Sequence, residues 1–119
     1  MDYLYKKPRI SPIIANEILK QNISSIRTVE EWAQYLDMES KEFSIYYRKH
    51  YGLSCKKAMV KIRLELGCDL IMNCKDLKHH QIATRIGLAD EHALYKYFKR
   101  HLGVSPLDLR KESNKNREY

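Results

Sequence analysis

Two sets of side chains recur along the chain at one spacing. Lys41, Ser44, Ile45 and Arg48 fall on one side of a helical stretch, and His92, Tyr95, Lys96 and Lys99 match them position for position in a later one. These residues are suited to contact rather than to bond making. Lysine can donate to guanine, histidine and serine to several base edges, and isoleucine can pack on a thymine methyl. A solvated helix face is the plain alternative. It accounts for Lys41 and Lys96, but poorly for Ile45 and Tyr95, although single exposed apolar residues are common. Arg48, Lys49, Lys56, Lys57, Lys99 and Arg100 lie near the ends of these stretches or the start of the following helix. Cations so placed suit phosphates, as do the amide ends of helices, with ordinary solvated charge as the alternative.

Catalysis finds no comparable constellation. His79-His80, His50 and His101 have no serine or cysteine with a third orienting group nearby, so the chain is read as not an enzyme and no cofactor is expected. Cys55, Cys68 and Cys74 form no Cys-x-x-Cys pair. A structural zinc site needs about four ligands, commonly in close local pairs, so the thiols are read as reduced, small apolar groups and no metal is expected.

These faces need helices to present them. Ser11-Pro12 is an N-cap followed by proline at the first helical position, and helix 1 is expected from Pro12 to Lys20, burying Ile14, Ile18 and Leu19. Asn22 to Arg27 is a connector. Thr28-Val-Glu-Glu31 is a capping box, opening helix 2 with Val29, Trp32, Ala33 and Leu36 on its core face. Helix 3 spans Ser40 to Tyr51, with Phe43, Tyr46, Tyr47 and Tyr51 inward; Glu39 is a weak cap. Ser54 caps helix 4, Cys55 to Met72, whose expected buried stripe is Cys55, Met59, Ile62, Leu66 and Leu70. Asn73 to Lys78 is a polar link. Helix 5 follows from His79 to Ile86, burying Ile82, Ala83 and Ile86. Gly87 suits a left-handed turn, and Asp90 caps helix 6, Glu91 to Leu102, whose inner face is Leu94, Tyr97, Phe98 and Leu102. Helix 7 begins at Pro106. Residues 1–10 are read as a frayed basic terminus or an arm reaching along DNA, and Lys111–Tyr119 as a charged, disordered tail.

The organisation is therefore all-α, with a helix-turn-helix used twice. Ala33 matches Ala83, Leu36 matches Ile86, Phe43 matches Leu94 and Tyr47 matches Phe98. RKHYGLSC at Arg48–Cys55 matches KRHLGVSP at Lys99–Pro106, with one residue inserted in the later copy. The domain boundaries read from this are an arm with helix 1 (1–27), a bipartite domain (28–110) and a tail (111–119). Within the bipartite domain lie a first helix-turn-helix (28–52), a linker helix (54–72), a second helix-turn-helix (79–103) and a closing helix (105–112).

With 119 residues, the chain can build one domain with a modest core. A formal net charge of +7 favours a polyanionic partner, nucleic acid or an anionic membrane surface. No apolar run approaches the ~18 residues of a transmembrane helix and no signal peptide is visible. A cytoplasmic location without membrane attachment is expected.

The block from Thr28 to Arg110 resembles the DNA-binding domain of the AraC/XylS family of bacterial transcription regulators. The resemblance rests on Ala33, Gly52, Arg63-Leu64, Ile82-Ala83, Gly87, Asp90, Phe98-Lys99, Gly103, Ser105-Pro106 and Arg110, in order over some eighty residues. It implies two recognition helices in adjacent major-groove segments of double-stranded DNA. Lys41, Ser44, Ile45, His92, Tyr95 and Lys96 then stand at base-reading positions. Arg63 takes the place of the family's linker arginine, for which an ion pair with Glu65, Asp69 or a neighbouring helix weighs as much as a DNA contact. The expected function is sequence-specific transcription regulation, activation included, by a monomer on DNA. The other reading is a protein-interaction module docking on RNA polymerase or another regulator, with weak or nonspecific nucleic-acid binding.

Departures from the family pattern are Leu88 for phenylalanine, Lys96 for arginine, Leu109 for tyrosine, Glu39 for a capping serine, and Gly67 for alanine. The first four bear on the first turn and on the DNA site; a glycine inside a helix costs ~1 kcal/mol, and Gly67 is read as allowing close packing instead. Most relatives carry a sensing and dimerising domain that has no counterpart in these residues. The stand-alone form is the expectation from the Met1 start, against a piece of a longer chain.

Overall fold

The computed structural model describes residues 11–116. It is all-α, with seven helices among the described residues: α1 (Pro12–Gln21), α2 (Val29–Tyr35), α3 (Ser40–Tyr51), α4 (Cys55–Asn73), α5 (His79–Arg85), α6 (Glu91–Leu102) and α7 (Pro106–Asn116). They fall into two compact units, one ending at Lys61 and one starting at Ile62, within α4. The expected arm over residues 1–10 lies outside the described residues, as do the last three of the tail.

In the first unit the helix starts are set locally. The Ser11 hydroxyl accepts the Ile14 amide at 3.3 Å. Thr28 Oγ1 accepts from the Glu31 amide while Glu31 Oε1 accepts from the Thr28 amide, a reciprocal capping box. The core is aromatic. Trp32 meets Phe43 edge-on at 4.9 Å and Tyr47 at 5.2 Å, and all three rings are buried with Leu19 and Ile26. The indole Nε1 of Trp32 donates to the Ala15 carbonyl at 2.9 Å, so the one polar atom of the largest core side chain is satisfied.

That bond fixes the phase of α1 and corrects its expected inner face. Ala15 and Leu19 point inward, whereas Ile14 is exposed and Ile18 half-buried. The connector adds to the core as well, because Ile23 and Ile26 are buried.

In the second unit Ile71, Ile82, Ile86, Leu94 and Phe98 are buried. Burial of side chains of this size contributes about 1.5–3 kcal/mol apiece. Gly67 explains its own identity here. A Cβ at that position would sit 2.9 Å from Phe98 Cζ and 3.1 Å from Ile86 Cδ1, so the missing side chain lets α6 and the end of α5 close on α4.

Three further expectations are corrected. Leu66 and Leu70 of the proposed α4 stripe are only half-buried, while Ala58, Leu64 and Ile71 are buried. Leu102 and Tyr51, both expected inside, are 43% and 38% exposed, each being the last residue of its helix, where the inner face runs out. The tail is not disordered from Lys111 onward: α7 continues to Asn116, and buried Ser113 donates to the Met72 carbonyl at 3.1 Å.

Arg63 engages the end of a neighbouring helix. It is buried, and its Nε donates to the Ile86 carbonyl at 2.8 Å. Arg110 works likewise. Its guanidinium donates to the carbonyls of Ile71, Leu77 and Cys74 at 3.0, 2.8 and 3.2 Å, tying α7 to the end of α4 and the loop after it; the Cys74 carbonyl also accepts the Leu77 amide.

Candidate nucleic-acid interface

Each unit contains a helix pair joined by the same turn. In the first, the Asp37 amide donates to the Gln34 carbonyl and the Met38 amide to the Ala33 carbonyl, both at 3.0 Å. In the second, Gly87 donates to Thr84 at 3.2 Å and Leu88 to Ala83 at 2.8 Å. This pair of bonds is the Schellman closure, which needs a left-handed residue just past the helix. Gly87 supplies it at φ 87°, and Asp37 supplies it at φ 56°, the one non-glycine residue with positive φ among the described residues.

The second helix of each pair is entered differently. Asp90 Oδ1 accepts the Ala93 amide at 2.8 Å, a proper N-cap for α6. Glu39 makes no side-chain cap for α3. The first unit compensates at the other end of the helix. Tyr47 Oη donates to Asn16 Oδ1 at 2.7 Å, and Asn16 Nδ2 donates to Tyr51 Oη at 3.2 Å, so α1 grips α3 by two tyrosines.

The inner faces of these helices are Phe43 and Tyr47 in α3 and Leu94 and Phe98 in α6, all buried. The outer faces carry the residues named from the sequence. Lys41 is exposed and Ile45 is 59% exposed. His92 and Lys96 are exposed and Tyr95 is 48% exposed. An isoleucine and a tyrosine held this open on helices with well-filled inner faces are not core residues. Ser44 departs from the set: it is half-buried, and its side chain hydrogen-bonds Cys55. Burial pushes the Cys55 thiol up to about 11, with the Ser44 bond acting the other way.

The cations divide by unit. In the first, Arg48, Lys49, Lys56 and Lys57 are exposed. Arg48 and Lys56 line one concavity with Ser44, Ile45, Ser54 and Cys55, which brings two base-reading candidates and two phosphate candidates together. Ser54 Oγ accepts the Lys57 amide at 3.2 Å and so caps the α4 start beside them. In the second unit Lys99 and Arg100 are exposed in the last turn of α6. None of these six cations has a carboxylate within ion-pair distance among the described residues. Their charge is uncompensated among the described residues. Arg48, Lys49, Lys99 and Arg100 also sit at helix C-termini, where the helix dipole favours positive charge.

The sequence reading did not single out Asn16 or Asp37, and it named Arg63 and Arg110 by their family positions without the backbone carbonyls they hold. A non-glycine at the turn position matched by Gly87 was the one signal available for Asp37. Among the described residues there is no group of three or more His, Cys, Asp or Glu placed to hold a metal ion, and no helix long and apolar enough to cross a membrane.

A family model described as a helix-turn-helix domain matches residues 32–112. The raffinose operon transcriptional regulatory protein RafR of Pediococcus pentosaceus is 28% identical over 98 residues, 82% of this chain and 35% of that protein. The transcriptional regulatory protein HptR of Staphylococcus aureus (strain NCTC 8325 / PS 47) is 23% identical over 95 residues, 80% of this chain and 37% of its own length. The chain thus spans little more than a third of these relatives.

Among solved structures, the C-terminal domain of AraT, a response regulator from Geobacillus stearothermophilus, superposes with a TM-score of 0.74. It has 31% identity over 87% of this chain and 88% of that one. The DNA-binding domain of the global transcriptional factor AdpA, solved in complex with a target DNA, has a TM-score of 0.76. Its identity is 21%, over 90% of this chain and 96% of that one, a likeness of fold.

Proposed function

Because the chain belongs to the AraC-type family of helix-turn-helix DNA-binding domains, we propose that it regulates transcription by reading two adjacent major-groove segments of one duplex, with α3 in one and α6 in the other. The observation that carries this is the pair of matched outer faces. Each presents an exposed apolar or aromatic side chain flanked by cations without an acidic partner among the described residues. A helix face of that composition suits base edges in its middle and phosphates at its margins.

Lys41, Ser44 and Ile45 read one segment, and His92, Tyr95 and Lys96 the other. Arg48, Lys49, Lys56, Lys57, Lys99 and Arg100 hold the backbone. The Ser44 hydroxyl reaches a base by exchanging its bond with Cys55. The same-fold neighbour solved on a target DNA supports duplex DNA as the partner. The two modules follow one another in a single chain, so the site needs no palindrome and one copy occupies it.

The test is selection of binding sites from a random duplex pool with the 119-residue chain, followed by titration of the selected site over a salt series. With about six phosphates neutralised, log affinity against log salt should slope near −5. Equal affinity for all sequences, or a flat salt response, overturns the reading. Two copies on an inverted repeat overturn the one-copy arrangement.

A further inference from the structure

The second helix-turn-helix rests on α4 at two points one helical turn apart. At the first, the buried Arg63 guanidinium donates from Nε to the carbonyl of Ile86. That residue is the C-cap of α5 and precedes the left-handed Gly87. At the second, Gly67 admits Phe98 Cζ and Ile86 Cδ1 to distances a side chain would forbid. Residues at i and i+4 share one face of a helix, so Arg63 and Gly67 form one continuous seat. It touches the end of α5 and the middle of α6, and Phe98 lies one turn or less from Tyr95 and Lys96 on the opposite side of the same helix.

We propose that Arg63 and Gly67 are specificity-determining positioning residues: the seat they form sets the depth and tilt at which α6 presents His92, Tyr95 and Lys96, and hence which bases that helix prefers. The physical reason is leverage. α6 is an α-helix of twelve residues, Glu91–Leu102, with Leu94 and Phe98 as its two fully buried inner side chains. A shift of a few tenths of an ångström at Phe98 therefore carries to the outer face undiminished. Hydrogen bonds to base edges weaken steeply with angle and distance, so a small displacement there changes discrimination more than it changes overall affinity. Arg63 is buried, with its Nε on a backbone carbonyl. Its influence passes through the turn.

The inference rests on the proposed base reading by α6, and the experiment separates the two. The full chain carrying Arg63→Lys, Arg63→Met or Gly67→Ala is titrated against every single-base variant of the duplex site selected by the unmodified chain. Thermal unfolding is measured alongside. Ser113→Ala is the control, since it removes a buried bond to the Met72 carbonyl in the same unit without touching the seat.

Arg63→Met keeps the length but loses the donor. It is expected to reduce discrimination about tenfold, the scale of one good base contact, at the positions read by α6 and to leave those read by α3 unchanged. Arg63→Lys, which can still donate to the Ile86 carbonyl, restores most of the profile. Gly67→Ala alters the preferred bases in the same half. Ser113→Ala lowers the unfolding temperature with its profile intact.

Where Arg63→Met does not fold, Gly67→Ala and Arg63→Lys carry the comparison. If the seat variants flatten both halves equally, or act only in proportion to lost stability as Ser113→Ala does, the positioning role is wrong and base reading stands. If the unmodified chain selects no preferred sequence, base reading by α6 is wrong and the seat falls with it.

Discussion

Asp37 and Gly87 close the two helix-turn-helix corners with the same pair of backbone bonds, yet only one of them is a glycine. An L-residue in left-handed conformation costs roughly 1–2 kcal/mol, less for aspartate. Glycine gives back part of that through the greater freedom of the unfolded chain, about 0.4–1 kcal/mol. Asp37→Gly is therefore expected to stabilise the protein by roughly 0.5 kcal/mol. Gly87→Ala is expected to destabilise it by roughly 1 kcal/mol. Urea unfolding midpoints of the two variants should move in opposite directions, and a loss of stability in Asp37→Gly would refute the strain argument.

Two tyrosines should respond oppositely to loss of their hydroxyls. Tyr47 Oη donates to Asn16 at 2.7 Å, so Tyr47→Phe leaves Asn16 short of a partner and should cost about 1 kcal/mol. Tyr97 Oη is buried without a hydrogen-bond partner among the described residues. Tyr97→Phe should be neutral or stabilising by up to about 1 kcal/mol. In a double-mutant cycle, Asn16→Ala should couple to Tyr47→Phe and add independently to Tyr97→Phe.

Stability should fall at both ends of the pH range for identifiable reasons. Burial, reinforced by the Arg110 charge and opposed by Glu91, holds His79 below the ordinary histidine value. The unfolded state then binds the proton more readily, so stability present at neutral pH is lost as pH falls below about 6.5. At the alkaline end, burial and nearby Tyr51 push Tyr47 up to about 12, and burial pushes Cys55 up to about 11. The unfolded state ionises first, so stability declines as pH rises from about 9 towards 12. Unfolding midpoints across pH should show a weaker acid slope for His79→Gln and a weaker alkaline slope for Tyr47→Phe. Unchanged slopes would mean that other groups govern both limbs.

The two recognition faces should contribute unequally. Lys96 and Ile45 hold equivalent positions, but lysine can donate to guanine, for a discrimination of about 1–3 kcal/mol. A methyl-sized apolar contact is worth about 0.8 kcal/mol. The entries reinforce the difference, because Asp90 caps α6 and Glu39 makes no such bond for α3. Lys96→Ala should flatten base preference in one half of the site. Ile45→Ala should act mainly at a thymine in the other half. A profile over all single-base variants in which Ile45→Ala flattens more than Lys96→Ala would reverse the assignment.

What the sequence revealed is what short-range chemistry encodes. The ends of α3 and α6 coincide with the expected ones because Gly52, Gly103 and Asp90 act within one turn of themselves. On their inner sides Phe43 and Tyr47, and Leu94 and Phe98, are buried four residues apart as expected, whereas Tyr51 and Leu102 in the last turns are not. α4 was harder. A single stripe was expected, but the helix buries Cys55, Ala58, Met59 and Ile62 early, and Arg63, Leu64, Gly67 and Ile71 later, on another side. A periodic pattern that changes phase midway cannot be read as one amphipathic face. Arg63 was illegible for a related reason. An arginine on a helix suggests a carboxylate or a phosphate, and a backbone carbonyl many residues away leaves no mark in the local sequence. The outer faces were legible as exposed, but which side chains meet bases depends on the duplex.

Arg110 joins its chain neighbours to segments synthesised well before it, the end of α4 and the loop after it. While the chain emerges from the ribosome, the aromatic cluster around Trp32 has every ring it needs by Tyr51. The second unit waits for its last helix before Arg110 can tie the end of α4 to the loop after it. The two helix-turn-helix units thus mature at different moments, and a nascent chain stalled before Arg110 would present one finished helix-turn-helix and one still open to solvent at its base.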